Sequence, residues 1–221
     1  MLGFQIHERR RQVAPDVVAR FAGLPVANIS DVMSRMAAGG ARLRPMHDGT
    51  GMAGPALTVK TRPGDNLMVH KALDLAAPGD IIVVDAGGDL TNAIIGEIMT
   101  TYAQSRGIGG IVINGAIRDS AALRSSSFPV YAAGVTHRGP YKDGPGEING
   151  AIALDGMTIE AGDLIVGDAD GLLCIPFDQV DAVHQAAAGK QAAEAQTFAQ
   201  IAAGKLDTSW IDARLKQQGC A

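Results

Sequence analysis

Two short stretches of this chain carry residue types that could do chemistry together. The first is Gly96-Glu97-Ile98-Met99, at or near the start of a predicted helix. Exposed amides at a helix N-terminus form a ready site for a carboxylate. The second is Arg118-Asp119, directly after the apolar run GGIVINGAI. Arg118 offers a planar fork of donors to a carboxylate or an enolate oxygen. Asp119 offers a hard oxygen to a divalent cation such as Mg2+. Plainer roles exist for the same residues. Asp119 before SAAL would serve as a helix N-cap, Arg118 as a solvated pairing partner, and Glu97 as a complement to a helix dipole.

The elements that must position these residues follow from periodicity. MAGPALTVKT, IIVVDAGG, GGIVINGAI and FPVYAAGVT read as strands. DNLMVHKALDLAA and TNAIIGEIMTTYAQSRG, which lie between them, read as helices. Continuous β-branched runs alternating with helices predict βαβ units and mostly parallel pairing, an α/β class. Both candidate stretches then fall at the carboxyl ends of core strands, where ligands of open α/β sheets gather. Upstream, PDVVARFAGL reads as a short helix with proline in its first turn. Asn28-Ile29-Ser30-Asp31 predicts a second helix, capped by Ser30 and closed by Gly39-Gly40. From 146 to 176, short strands with turns at Asp155-Gly156, Ala161-Gly162-Asp163 and Ala169-Asp170-Gly171 predict an antiparallel meander. Pro176 opens a long Ala-rich helix to about residue 203.

Composition narrows the function classes. The chain has 221 residues, 47% of them hydrophobic, enough for one sizeable core domain with a C-terminal extension. The net charge of −4 argues against binding nucleic acid through phosphates, and 4% aromatics argue against a stacking platform. No apolar run reaches the length of a membrane helix, so no membrane partner is expected. Two cysteines make no disulfide framework, which points to the cytoplasm. There is no G-x-G-x-x-G after a strand, and no Walker loop, C-x-x-C, H-E-x-x-H or G-x-S-x-G motif. The five histidines (His7, His47, His70, His137, His184) stand far apart. Asp168-Ala169-Asp170-Gly171 lacks the later glutamate of a calcium loop and reads as a hairpin turn. His137, Arg138, Tyr141 and Lys142 lie in a Gly-Pro-rich stretch read as a surface loop outside the site.

GEIMTTYAQSRGIGGIVINGAIRDSAAL resembles the RraA-like family, as do GVTHRGPYKDGPGEING and GMTIEAGDLIVGDADGLLCIP. The family joins regulators of ribonuclease activity A to metal-dependent 4-hydroxy-4-methyl-2-oxoglutarate / 4-carboxy-4-hydroxy-2-oxoadipate aldolases. The likeness spans about residues 25–180 of a single RraA-like domain (1–221), with the helical extension covering about 176–221. It implies a swivelling β/β/α sandwich with a central mixed sheet and flanking helices, assembled as a homotrimer or hexamer. Carried over by position, the metal ligand falls on Asp119, for Mg2+ or Mn2+. Arg118 is then a catalytic and substrate-binding residue, and Gly96 to Met99 bind the substrate carboxylate. Glu97 would hold a water, and Glu194 of a neighbouring subunit would reach the site. The implied partner is a 2-oxo acid of the pyruvate or oxaloacetate type, with oxaloacetate decarboxylation as a side activity. The aldolases often carry an acid three residues after the Asp of Arg-Asp; here Ala122 stands there. The rival reading is a non-catalytic regulator that binds ribonuclease E. A demethylmenaquinone methyltransferase label used in the family finds no glycine-rich cofactor motif here.

Overall fold

A computed structural model describes residues 3–36 and 39–220. Its strands are β1 (Phe4–Ile6), β2 (Arg44–Pro45), β3 (Met52–Thr61), β4 (Ile81–Asp85), β5 (Ala93–Ile95), β6 (Gly110–Ile117), β7 (Val130–Val135), β8 (Gly146–Ile148), β9 (Ile152–Leu154), β10 (Met157–Ile159), β11 (Leu164–Asp168) and β12 (Gly171–Ile175). The helices are α1 (Pro15–Ala19), α2 (Val26–Val32), α3 (Leu67–Leu75), α4 (Glu97–Ser105), α5 (Ser120–Arg124), α6 (Val180–Ala202) and α7 (Ser209–Gln217).

The expected parallel core is present: β3, β4, β6 and β7 lie side by side and run parallel. The sheet is mixed because β8 and β11 pair antiparallel with opposite halves of the long strand β3, while β2 pairs antiparallel with β7. Every residue of β6 is buried, as a central strand covered on both faces requires. Successive side chains of β4 enter different cores, as the period of two dictates. Ile81 and Val83 join the cluster beneath α2 and α6, whereas Ile82 and Val84 join the cluster beneath α3 and α4. The strands expected over 146–176 form, but not as one meander: β8 pairs with β1 and β3, β9 and β10 make a separate hairpin, and β11 and β12 make another that joins β3, turning at Ala169-Asp170. Among the described residues no helix is long and apolar enough to cross a membrane.

Two expectations need correction. The helix predicted from Thr91 begins only at Glu97, because Ala93–Ile95 form a strand instead. Ile94 and Ile95 are fully or almost fully buried, and pairing with Ala116–Ile117 outweighs their local helical spacing. The second helix starts at Val26, not Ser30, and ends at Val32, well before Gly39-Gly40. Its first amide, Val26 N–H, donates to Asp168 Oδ2 at 2.9 Å, so a distant carboxylate replaces the predicted Ser30 cap. Ser34 and Arg35 then take positive φ, 55° and 60°, which ends the helical run.

Candidate active site

Three parallel strand ends meet at one edge of the sheet. β5 takes over where β4 stops: β4 pairs with Gly110–Asn114 of β6, and β5 with Ala116 and Ile117. The register aligns Ile95, Ile117 and Val135 across β5, β6 and β7. The ladder continues one residue further, with Arg118 N–H donating to Ile95 O and Thr136 N–H to Ile117 O, both at 3.0 Å. The residues just past the three strands, Gly96-Glu97, Arg118-Asp119 and Thr136-His137, therefore start neighbouring loops along one sheet edge. A cleft of about 590 Å3 opens here, lined by Glu97, Arg118, Asp119, Ala122, Thr136 and His137 among others.

Asp119 is the hinge of this arrangement. It precedes α5 in the N-cap position, yet its side chain makes no cap there. Its backbone is left-handed (φ 56°, ψ 36°), a conformation that aspartate tolerates better than most residues. This turn aims the carboxylate across the strand ends, where Oδ2 accepts the Glu97 N–H at 2.9 Å. Asp119 thus caps α4 rather than its own helix. Among the described residues Oδ1 accepts no hydrogen bond, which leaves it for a ligand.

Gly96 is required by space rather than by conformation, since its φ of −153° is open to any residue. A Cβ there would stand 2.3 Å from Asp119 Oδ2 and 2.8 Å from Arg118 Cγ. Arg118 passes over this glycine, with Nε 3.8 Å from Asp119 Oδ2. Its far end reaches Gly139, where a Cβ would lie 3.3 Å from Nη1. The guanidinium is partly exposed and faces the cleft.

The loop after β7 is pinned in place. Ala93 N–H donates to Arg138 O at 2.8 Å, and the Asn92 side-chain amide donates to Gly139 O. Further along, the fully buried Asp65 accepts the Asp143 and Gly144 N–H groups at 2.8 and 2.9 Å. His137 is therefore held in the cleft, although sequence reading left it outside the site. The available signal was its position two residues beyond β7, matching Glu97 and Asp119 beyond β5 and β6.

The helix-start expectation narrows. Glu97 N–H is taken by Asp119 and Met99 N–H by Gly96 O, which leaves Ile98 N–H as the first-turn donor open to a carboxylate. The Ile98 side chain is 80% exposed, and Met99 is buried against the Asn66 amide. Glu194 does not line the cleft of its own chain. It sits on α6, accepting from Asn28 Nδ2 at 2.8 Å and facing Lys190 Nζ at 3.4 Å.

Among the described residues, no three His, Cys, Asp or Glu side chains gather to hold a metal unaided. The donor set nevertheless fits a hard divalent cation. Mg2+ keeps several waters and needs only one or two carboxylates, and Asp119 Oδ1 is free to serve. The cleft holds two carboxylates against one guanidinium, so an anionic ligand needs additional positive charge there. A separate cavity of about 410 Å3 between Phe21–Val26 and β11 is mostly apolar. Its carboxylate, Asp168, already caps α2.

Comparison with known proteins adds family to geometry. The family model described as RraA-like, Aldolase/RraA, matches residues 26–174. A Halalkalibacterium halodurans protein, provisionally named a 4-hydroxy-4-methyl-2-oxoglutarate aldolase, is 42% identical over 181 residues. That match covers 82% of this chain and 86% of the relative. An uncharacterised Pseudomonas syringae pv. tomato protein of known structure superposes with a TM-score of 0.79 at 26% identity, covering 87% of this chain and 95% of that one. The RNA-processing inhibitor RraA from Thermus thermophilus superposes with a TM-score of 0.64 at 28% identity, covering 69% and 92%.

Proposed function

This chain belongs to the RraA-like (Aldolase/RraA) family, and from that premise we propose that it is a divalent-metal-dependent carbon–carbon lyase. It cleaves 4-hydroxy-4-methyl-2-oxoglutarate or a similar 4-hydroxy-2-oxo diacid and releases pyruvate. The observation that carries this reading is the Arg118–Asp119 pair at the end of β6, turned by a left-handed Asp119 onto the start of α4. The name of the H. halodurans relative supports the same class of reaction.

Asp119, through its unengaged Oδ1, would hold Mg2+ or Mn2+ with waters. When bound, such a cation polarises the 2-oxo group as a Lewis acid. The chain's own groups do the rest. Ile98 N–H at the α4 start binds the substrate carboxylate. Arg118 faces the C2 oxygen, on which negative charge grows as the C3–C4 bond breaks, and stabilises it there. Glu97, across the cleft mouth, holds a water that takes the 4-hydroxyl proton. As the 4-oxygen forms its C=O bond, the electron pair of the broken C3–C4 bond passes to the C2–C3 unit; protonation at C3 gives pyruvate, and the C4 fragment leaves as a second carbonyl product. Oxaloacetate decarboxylation generates the same charge without needing the hydroxyl proton removed, so it is a companion activity. The active assembly is a homotrimer or hexamer, in which Glu194 of a neighbouring subunit closes the cleft.

The likeness to the T. thermophilus inhibitor favours a second reading, a regulator that binds ribonuclease E, although that likeness covers 69% of this chain. One experiment separates the two. Purified protein is incubated with oxaloacetate and Mg2+, and pyruvate is measured with and without a chelator. Chelator-sensitive pyruvate formation above the metal-only background supports the lyase. Formation equal to that background supports the regulator.

A further inference from the structure

We infer that His137 is the residue that selects a substrate carrying a second carboxylate, by pairing with that distal group. The inference rests on the lyase reading and names the specificity of the same cleft. β6 lies between β5 and β7, so the loops carrying Glu97 and His137 flank the one carrying Asp119, and all three residues line the cleft. Neighbouring strands lie about 4.8 Å apart, comparable with the span of a five-carbon diacid. A keto group at Asp119 therefore sets the far carboxylate one strand over, at the imidazole. The remaining lining there is neutral: Val135, Thr136, Ala121 and Ala122. Of the side chains lining the cleft, Arg118 and His137 carry the nitrogen donors, and Arg118 is turned toward Asp119 and the developing oxyanion, which leaves the imidazole N–H for a further carboxylate. The Arg138 and Gly139 carbonyls, tied to Ala93 and Asn92, fix the backbone of the loop that carries His137.

The test compares wild type, His137→Gln and His137→Lys with Mg2+ on two cleavage substrates. These are 4-hydroxy-4-methyl-2-oxoglutarate and 4-hydroxy-2-oxopentanoate, which lacks the distal carboxylate. Exchange of the pyruvate C3 protons in D2O serves as the internal reference, since it needs no distal group. The Gln variant should lose about tenfold in kcat/KM on the diacid, mostly through KM, as expected for one lost hydrogen bond between charged groups. It should stay within about twofold of wild type on the monoacid and on pyruvate exchange. The Lys variant, which keeps a cation, should recover most of the diacid preference. An unchanged diacid preference in the Gln variant, or an equal kcat loss on both substrates, overturns the assignment while leaving the lyase reading intact. A wild type that exchanges no pyruvate protons overturns the lyase reading and this assignment together.

Discussion

At the scale of the residue, the account turns on one carboxylate that serves two purposes. Asp119 caps α4 through Oδ2 and offers Oδ1 to the cleft. Asp119→Asn keeps a left-handed-tolerant side chain that can still accept the Glu97 N–H. Metal-dependent turnover should therefore vanish while the melting temperature moves little. Asp119→Ala should lose turnover and also about 1–2 kcal/mol, from the missing cap and the strained φ. Thermal melts beside activity assays distinguish these outcomes. Gly96→Ala should reduce kcat/KM roughly a hundredfold with a folded chain, because its Cβ would displace Asp119 and Arg118 from their shared position. Arg118→Ala should remove roughly 3 kcal/mol of transition-state stabilisation, read as a fall in kcat rather than a rise in KM. Gly96, Glu97, Arg118 and Asp119 stood out in the sequence as candidates through residue type, position and above all resemblance to a family pattern, and the structure brings them together at one cleft. His137 did not stand out, because a lone histidine in a Gly-Pro loop gains meaning only when the β6–β7 register is known.

At the scale of the element, two helix starts in this fold are satisfied from elsewhere. Val26 N–H is held by Asp168 and Glu97 N–H by Asp119. This explains why local capping signals misplaced α2, while β3, β4, β6 and β7, whose apolar runs announce themselves, were read correctly. The β5 error has the same root: three residues became a strand because β6 offered an unpaired edge beyond the end of β4. Asp65 anchors the loop that carries His137. Asp65→Ala should destabilise the fold by roughly 2–4 kcal/mol, since it leaves buried amides unsatisfied. Hydrogen exchange should quicken at Asp143 and Gly144 in that variant. The α2–α6 contact is tied by Lys190, whose hydrogen bond holds the Asp31 carboxyl below its usual 3.8. The same bond raises Lys190 above 10.5. A lowered acid pKa contributes stability that is lost as pH falls below about 4, and a raised lysine pKa contributes stability that is lost as pH rises past about 10. The helix pair should hold unchanged between those limits, as followed by circular dichroism.

At the scale of the whole molecule, the two cores on either face of the sheet hold the strand ends rigidly enough to align three loops. Ile82→Ala, in the core beneath α3 and α4, should cost about 2–5 kcal/mol by denaturant melt. The second half of α6 and all of α7 leave Phe198, Ile201, Trp210 and Leu215 exposed. Such an apolar arm suits burial against other copies of the chain. Light scattering should therefore give a mass near three or six times that of one chain, and removal of residues 205–221 should lower it. The Ala-rich helix was plain in the sequence, whereas a contact between copies at its far end is not something one chain's periodicity encodes. The central claim is tested most directly by following pyruvate in D2O by proton NMR with the intact wild type and with Asp119→Asn, each with Mg2+ and with chelator. The account predicts loss of the C3 proton signal only for wild type with Mg2+. Exchange that survives the chelator or the Asn substitution, or wild type with Mg2+ giving none, contradicts it.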